Sequence, residues 1–194
     1  MPQSATARAA ALLTWEDFAA LDDEEELRGV ELVDGVLEEG EVTTRKHGRI
    51  VSRLVSLLLA WVDAHGGGEI LSQENRVRIG KRRVRKPDVF AVRASDKPRF
   101  DRETLISAPH LVVEILTHTR RDILRDRVTK LSDYESIGAR HYWIVDPEGD
   151  TLEAYSLTRA GLYGPPRRYA GADLVRGDAF DMKGLRFRVR DLGR

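Results

Sequence analysis

Hydrophobic and polar residues recur along this chain with two different periods, which separate predicted helices from predicted strands. Over residues 43–64, apolar side chains recur every three to four positions, as on one face of an amphipathic helix, and the stretch "HGGG" ends that helix. A shorter helix is predicted over about 14–22, because Thr14 is followed three residues later by Asp17, the pattern of a capped helix start. A third helix is predicted over about 120–136.

Most other segments have the short apolar runs or the alternation that are typical of strands. Two alternating runs flank Asp34 and Gly35 in "VELVDGVLEE", which is a strong hairpin signal. Further predicted strands lie in "EILSQENRVRI", "DVFAV", "HLVVEIL", "RHYWIVD", "TLEAYSL" and "GLRFRVRDL". This order of elements predicts an α/β fold in which a mixed β-sheet is flanked by helices.

Length and composition narrow the classes of protein. The 194 residues, 41% of them hydrophobic, suffice for one well-buried core, so we expect a single domain over 1–194, with a core at about 31–157 and C-terminal strands at about 160–190. The chain has no cysteine, which excludes structural disulfides and thiolate zinc sites. No apolar run approaches the roughly 18 residues of a membrane span, so we expect a cytoplasmic protein without a membrane partner.

The formal net charge of zero conceals a strong asymmetry. Residues 1–41 contain twelve acidic and two basic residues, whereas residues 76–99 contain ten basic and two acidic ones. A local basic patch is enough to attract a polyanion, so the stretch "GKRRVRK" is either a solvated hairpin tip or a phosphate-binding surface. The residues that would contact phosphate are Lys81, Arg82, Arg83, Arg85 and Lys86.

A carboxylate lies in the middle of one predicted buried strand. "HLVVEIL" is an almost continuous apolar run, typical of a strand covered on both faces, and Glu114 is at its centre. A buried carboxylate is costly unless it is paired or binds a metal. Glu114 therefore needs either a core arginine, which is favoured when this strand is considered alone, or a metal ion.

A second carboxylate, Asp88, precedes the apolar run of "KPDVFAV". It is either an ordinary strand-start residue or one half of a metal site. If its strand pairs with the strand of Glu114, the two carboxylates meet at one sheet edge. Together with the backbone carbonyl of Ile115, they would form the hard oxygen ligand set that Mg²⁺ prefers.

The third predicted helix contributes a cation. At 100° per residue it has one apolar face. The members of that face are Ile123, Leu124, Val128, Leu131, Tyr134 and Ile137. Lys130 and Arg127 both fall inside this stripe, so Lys130 either snorkels to solvent or reaches the carboxylate pair. There its ammonium would orient and help deprotonate a water, or neutralise charge on a pentacovalent phosphate.

The ordered set of motifs resembles the Uma2 family, also called DUF820, within the PD-(D/E)XK nuclease superfamily. The resemblance is carried by "ELVDG", "KPDVFAV", "APHLVVEILTHTRRD" and "RHYWIVDPEGDTLEAYSL", and it covers about residues 31–157. Its most specific part is residues 130–147, where lysine, tyrosine, glycine, tryptophan, aspartate and proline keep the family's spacing. The resemblance implies a restriction-endonuclease-like core.

The resemblance also implies roles for individual residues. Asp88 and Glu114 match the motif acids that hold Mg²⁺, and Lys130 matches a lysine on the following helix. Glu31 matches an upstream acid that would complete the metal site, and His47 matches a helix histidine without an assigned role. The stretch "THTRRD" departs from the Ser-Pro-Ser-Thr usual after this glutamate, and a longer loop would shift the lysine along its helix.

The motifs and charges together predict a Mg²⁺-dependent DNA endonuclease that hydrolyses phosphodiester bonds, with Mn²⁺ as a substitute ion and Arg127 as a further phosphate contact. Because many nucleases of this fold act as dimers, a homodimer is also expected. The alternative is a catalytically inactive nucleic-acid-binding or protein-binding module on a nuclease fold, which the altered loop motivates. Tyr134, Tyr142 and Trp143 are predicted core aromatics.

Overall fold

The computed structural model describes residues 12–21, 29–40, 43–72, 75–117 and 125–194, apart from the side chains of Arg125 and Asp126. The α-helices of this part are α1 (Trp15–Ala19), α2 (Arg45–Ala64), α3 (Leu131–Ser136) and α4 (Val189–Leu192). A π-helical segment, Arg125–Lys130, runs directly into α3, and 3₁₀ turns cover Ala94–Asp96 and Gly177–Phe180. No helix within these ranges is long and apolar enough to cross a membrane.

The strands are short, and most of them lie in two six-stranded sheets. In chain order they are β1 (Val30–Val33), β2 (Val36–Glu39), β3 (Gly68–Ser72), β4 (Arg76–Gly80), β5 (Arg83–Arg85), β6 (Val89–Arg93), β7 (Phe100–Asp101), β8 (Thr104–Leu105), β9 (Leu111–Ile115), β10 (His141–Asp146), β11 (Thr151–Ser156), β12 (Arg167–Ala170), β13 (Leu174–Arg176) and β14 (Arg186–Arg188).

The central sheet has the strand order β12-β11-β10-β9-β6-β3, with β9 and β10 parallel and its other neighbours antiparallel. Alternate residues of β9 enter two different cores, because side chains of a strand point to opposite faces in turn. Val113 packs in the cluster that contains the buried face of α2, whereas Val112 packs with Tyr134 of α3. Both faces are thus covered, which explains the continuous apolar run of this strand.

The second sheet has the order β2-β1-β5-β4-β8-β7 and was not predicted as a separate sheet. Its strands have only two to five residues, so their patterns did not indicate that they pair in a sheet of their own. The predicted hairpin at its edge is confirmed, with positive φ at both Asp34 and Gly35, as a type I′ turn requires. The chain passes from β5 through residues 86–88 into β6, so the two sheets meet at Asp88.

The first two predicted helices are confirmed. Thr14 caps α1: its hydroxyl accepts a hydrogen bond from the backbone N–H of Asp17, whose carboxylate accepts one from the backbone N–H of Thr14. The last described helical residue of α1 is Ala19, and residue 22 lies outside the described ranges. Helix α2 begins after the N-cap Thr44 and buries one apolar stripe in the core.

The third predicted helix differs in its register. Its first six described residues are π-helical, with i→i+5 rather than i→i+4 hydrogen bonds, so the α-helical wheel misplaced part of its apolar face. Val128 is 62% exposed and does not belong to the core, whereas Lys130 and Tyr134 are buried as the wheel indicated. Ile123 and Leu124 lie outside the described residues.

The C-terminal stretch "GLRFRVRDL" forms the predicted strand only in its first part. Residues Arg186–Arg188 pair with β13, after which the chain turns into the short helix α4. Val189 and Leu192 of this helix, three positions apart, are both buried against the core that contains α2. This burial explains why the end of the segment is helical.

Candidate active site

Asp88 directly precedes β6, and two contacts fix its carboxylate. Its Oδ2 accepts a 2.7 Å hydrogen bond from the backbone N–H of Ile115, and its Oδ1 lies 2.9 Å from Nε2 of His47 on the first turn of α2. The pairing of Val89 with Val113 places the next residue of each strand, Asp88 and Glu114, opposite each other at the sheet edge. The predicted pairing of these two strands is therefore confirmed.

Glu114 is 2% exposed and has a donor on each carboxylate oxygen. Nζ of Lys130 lies 2.8 Å from Oε2, and the hydroxyl of Tyr134 donates a 2.7 Å hydrogen bond to Oε1. The lysine indicated by the helix wheel is thus confirmed as a partner of Glu114. Tyr134, predicted only as a core aromatic, also contributes a polar contact to the site.

The altered loop after Glu114 does not prevent Lys130 from reaching it. Lys130 is the last residue of the π-helical segment, and Tyr134 follows four residues later in α3. Residues four apart lie on the same face of a helix, so both donors point at one carboxylate. Burial and the neighbouring Glu114 raise the pKa of Tyr134 well above its usual value, which keeps its hydroxyl protonated and able to donate.

Glu31 lies beside this cluster on β1. Its two oxygens accept hydrogen bonds from Nη1 of Arg85 at 2.8 Å and from the backbone N–H of Lys86 at 2.9 Å. Burial alone would raise the pKa of Glu31, but the charges of Lys130 and Arg85 and these hydrogen bonds hold it below its usual range. The ammonium of Lys130 therefore acts on two buried carboxylates, Glu114 and Glu31.

Arg85 is a structural residue rather than a phosphate contact, which corrects the prediction from the basic run. It is 1% exposed, and its guanidinium bridges Glu31 on β1 and Asp133 on α3, with Nε donating to Oδ2 of Asp133 at 2.8 Å. Arg83 is also ion-paired within the protein, because its two terminal nitrogens contact Asp133 and Asp34. The basic run could not reveal these carboxylates, which come from distant parts of the chain.

The remaining predicted phosphate contacts fall into two groups. Lys81 and Arg82 are exposed at the tip of the β4–β5 hairpin, and both stay available to an anion. Lys86 is half-buried, and Nε of Arg127 lies 3.4 Å from a carboxylate oxygen of Glu153. The hairpin is therefore confirmed, but only its tip is free of the internal ion-pair network.

Asp133 is the main residue that sequence analysis missed. It is 3% exposed and joins α3 to Arg85 and Arg83 of the second sheet. The available signal was its position between Lys130 and Tyr134 on a helix already predicted to face the core. A buried acid there needs cationic partners, which the arginine-rich hairpin supplies.

The carboxylates fit a Mg²⁺ ion that is partly held by water and substrate. The Asp88 side chain keeps 20% exposure, and a carboxylate oxygen has two lone pairs, so one hydrogen bond to it does not exclude a metal. Within the ranges that the structure describes, no group of three or more His, Asp or Glu side chains could hold a metal by itself. Mg²⁺ is commonly bound through one or two carboxylates plus substrate phosphate, so two acids suffice.

Comparisons with known proteins found a matching family model and a similar solved structure. A family model, Uma2, described as "Putative restriction endonuclease", matches residues 15–189. Among solved structures, a "putative nuclease belonging to DUF820" from Anabaena variabilis ATCC 29413 has a TM-score of 0.74 and 21% identity, covering 93% of this chain and 97% of that one. No curated protein matches.

The structural match confirms the predicted fold, a restriction-endonuclease-like α/β architecture with mixed sheets flanked by helices. At this identity it shows the fold alone. The family model, in contrast, spans most of the chain and includes Glu31, Asp88, Glu114 and Lys130. The protein therefore belongs to the Uma2 family.

Proposed function

We propose that this protein is a Mg²⁺-dependent DNA endonuclease that hydrolyses phosphodiester bonds. The observation that carries the proposal is the contact between Lys130 and Glu114 at the sheet edge where Asp88 lies opposite that glutamate. A buried lysine beside paired carboxylates suits a reaction in which negative charge builds on a phosphate. The nuclease descriptions of the family and of the similar structure support the same chemistry.

The metal would be held by Asp88 and Glu114 with the carbonyl of Ile115, and Glu31 is an accessory candidate. Bound Mg²⁺, or Mn²⁺ in its place, would polarise the phosphate and lower the pKa of a bound water. Glu31 would act mainly through Lys130 and Arg85, because its carboxylate is ion-paired with the buried guanidinium of Arg85 and lies near the ammonium of Lys130.

Lys130 would stabilise the charge of the pentacovalent phosphate rather than remove a proton from water. Its Nζ lies 2.8 Å from Oε2 of Glu114, and its charge lowers the pKa of Glu31, so it acts on both carboxylates as a cation. In the hydrolysis, the water oxygen forms a bond to phosphorus while the bond to the leaving oxygen breaks, and the proton that the water loses is balanced by the proton that the leaving oxygen gains from solvent. The cation offsets the added charge during this exchange.

Tyr134 and His47 would position the two acids. The Tyr134 hydroxyl holds one oxygen of Glu114, and His47 holds Oδ1 of Asp88 from the opposite face of the sheet. Neither contact requires a change of protonation during the reaction. Both fix the orientation of a carboxylate, which matters because small displacements of a ligand reduce catalysis strongly.

Incubation of supercoiled plasmid with and without Mg²⁺ tests the proposal. We expect cleavage only with the divalent ion, and a loss of about 10²-fold or more in rate for Asp88→Asn and Lys130→Met. Lys183→Met, at an exposed position, is the matched control and should cut normally. Full cleavage by folded Lys130→Met would remove this lysine from the mechanism. Linear product formed without nicked intermediate would support the proposed homodimer, since cutting both strands takes two sites.

One observation favours the alternative, a non-catalytic binding module. Both oxygens of Glu114 already have donors from the protein, as in a purely structural ion pair. Titration of Mn²⁺ or Mg²⁺ against wild type and Asp88→Ala separates the two functions. A metal that binds wild type and not Asp88→Ala supports the nuclease, whereas identical behaviour of the two proteins supports the binding module.

A further inference from the structure

A second basic surface lies on the layer formed by α2 and the C-terminal segment. The two run side by side: Nε1 of Trp61 donates to the carbonyl of Lys183 at 2.9 Å, and Nη1 of Arg49 donates to that of Gly193 at 3.2 Å. Strand β14 and helix α4 therefore follow α2 in the opposite direction, from its C-terminal to its N-terminal half.

Three exposed arginines line the outer side of α2. Arg45, Arg49 and Arg53 are four residues apart, so they form one stripe over the first nine residues of the helix. Like charges at this spacing repel each other, and cations in the first turns of a helix oppose its dipole. The first turn contains no acid to compensate. An anionic partner would relieve both unfavourable terms.

The β13–β14 hairpin repeats this pattern. Arg176 and Arg186 are directly opposite each other in the register and both are exposed, while Val175 and Phe187 beside them point into the core. Like charges in directly opposed positions destabilise a strand pair. Arg188 adds a third exposed cation on the same side of β14, two residues after Arg186.

These residues form what we call the α2–β14 basic face. Its members are Arg45, Arg49, Arg53, Arg176, Arg186 and Arg188. Among the described residues, no Asp or Glu forms an ion pair with any of the six, whose polar contacts are to main-chain oxygens of Gly193, Arg194 and Ala172. The face differs in this from the hairpin arginines Arg83 and Arg85, which are neutralised internally.

The basic face begins at the candidate active site. His47, two residues after Arg45, contacts Asp88, and Lys46 donates through Nζ to the carbonyl of Pro147 just after β10. The first turn of α2 thus belongs both to the site and to the basic face. A polyanion lying along the α2 arginines would therefore reach the end of the helix whose buried side contacts Asp88 through His47.

We propose that the α2–β14 basic face binds the phosphate backbone of double-stranded DNA and guides it to the site. The choice of duplex DNA rests on the proposed nuclease function. Arginines spaced along a helix and a hairpin contact phosphates without reading bases, so this surface supplies affinity and not sequence preference. It also supplies the cations that the β4–β5 hairpin loses to its internal ion pairs.

The test compares the triple variant R45Q/R49Q/R53Q with wild type in fluorescence anisotropy on a short duplex, without divalent ions, at 50 to 200 mM salt. Loss of three phosphate contacts should make the slope of log affinity against log salt less steep by about 2.7. Wild type would then lose about 40-fold more affinity than the variant over this range. Gln is a good helix former, so the variant should stay folded, and the relief of charge repulsion should offset much of the loss of the Arg49 and Arg53 hydrogen bonds in the melting temperature.

A matched control removes the same charge elsewhere. K97Q/R99Q/R159Q changes three exposed residues outside the face, and its salt slope should match wild type. The pair R176T/R186T tests the face independently of α2, and it should lower the slope by up to about 1.8. A salt slope unchanged from the control in both face variants would overturn the proposal. Binding to phosphatidylserine vesicles is measured with the same variants. Face variants that lose vesicle binding but keep wild-type duplex binding would also overturn the proposal.

The outcomes separate this inference from the nuclease proposal. Duplex binding that depends on the basic face in a protein that cuts nothing supports the face and argues against the nuclease. Cleavage by wild type, with duplex binding insensitive to the face variants, supports the nuclease and overturns the face.

Discussion

The two ends of β9 and β10 bury polar groups in opposite ways. At the end that contains the site, Glu114 is buried with Lys130 and Tyr134 as donors to its two oxygens. At the other end, His110 and His141 lie edge to face, with ring centroids 5.2 Å apart, among aromatic rings. Burying a charged group costs less when it has an ion-pair partner. The end at the site therefore contains ion pairs, whereas the other end contains neutral imidazoles.

The histidine end shows this in its pKa values. Burial, together with the positive charge of Arg93, lowers the pKa of His110 to about 4, and burial with the neighbouring His110 lowers that of His141 to about 3. Both imidazoles are therefore neutral near pH 7. The stability of the ion-pair end therefore depends on keeping every partner, whereas the stability of the histidine end depends on pH.

Removing the guanidinium at the centre of the ion-pair end should have the largest effect. Arg85→Met leaves both Glu31 and Asp133 buried without this partner, and we expect the free energy of unfolding to fall by about 4 to 5 kcal/mol. Urea unfolding measures it. Arg83→Met, at a partly exposed residue, is the control and should cost about 1 kcal/mol.

Replacing the whole triad distinguishes unpaired charge from lost packing. The variant Glu31→Leu/Arg85→Met/Asp133→Leu should recover most of the lost stability, because no buried charge is left without a partner. If Arg85→Met costs no more than Arg83→Met, the buried network does not hold the second sheet to α3.

Lowering the pH should destabilise the protein through the histidine end, and this is the second-largest effect that we expect. The folded pKa values of His110 and His141 lie below the ordinary 6.5, so the unfolded chain binds more protons as pH falls. The stability from these residues is complete above about pH 6.5 and is lost toward pH 4. We expect about 2 to 4 kcal/mol to be lost between pH 6.5 and 5, measured by urea unfolding at each pH.

The pH window separates the two ends. The pKa of Glu31 lies below its ordinary 4.5, so its contribution is lost only below that pH. His110→Phe should flatten the dependence between pH 6.5 and 5 while leaving the steeper loss below pH 4.5. An unchanged slope in this variant would show that His110 is not a source of the acid sensitivity.

Removing one hydroxyl from the ion-pair end should have a smaller effect. Tyr134→Phe deletes the donor to Oε1 of Glu114 but leaves Lys130 in place, and we expect a loss of about 1.5 to 3 kcal/mol in urea unfolding. Tyr163→Phe, which deletes a hydroxyl that donates to the neutral carbonyl of Ala139, is the control, with an expected loss of about 1 kcal/mol. Equal losses in the two variants would mean that the charge of Glu114 adds nothing to the Tyr134 bond.

Sequence patterns predicted the parts of this site that depend on local periodicity. The apolar runs of two neighbouring strands indicated that Asp88 and Glu114 meet at one sheet edge if the strands pair, and the helix wheel placed Lys130 and Arg127 inside the apolar stripe. The patterns did not indicate which carboxylates neutralise Arg85, because Glu31 and Asp133 are 54 and 48 residues away from it. A run of basic residues is the same in sequence whether a distant acid packs on it or not.

The helix wheel predicted the burial of Lys130 correctly and that of Val128 wrongly. A substitution of Val128 tests whether the π-helical geometry is the reason. In an α-helix the wheel would bury Val128 beside Lys130, and Val128→Ala would then cost on the order of 1 to 3 kcal/mol. In the π-helical segment its side chain is 62% exposed, so we expect a change within about 0.5 kcal/mol in urea unfolding. Leu131→Ala, at a partly buried position packed on the core, is the comparison and should cost more. A Val128→Ala loss as large as that of Leu131→Ala would mean that the segment is α-helical in solution, and that Lys130 approaches Glu114 from a different register.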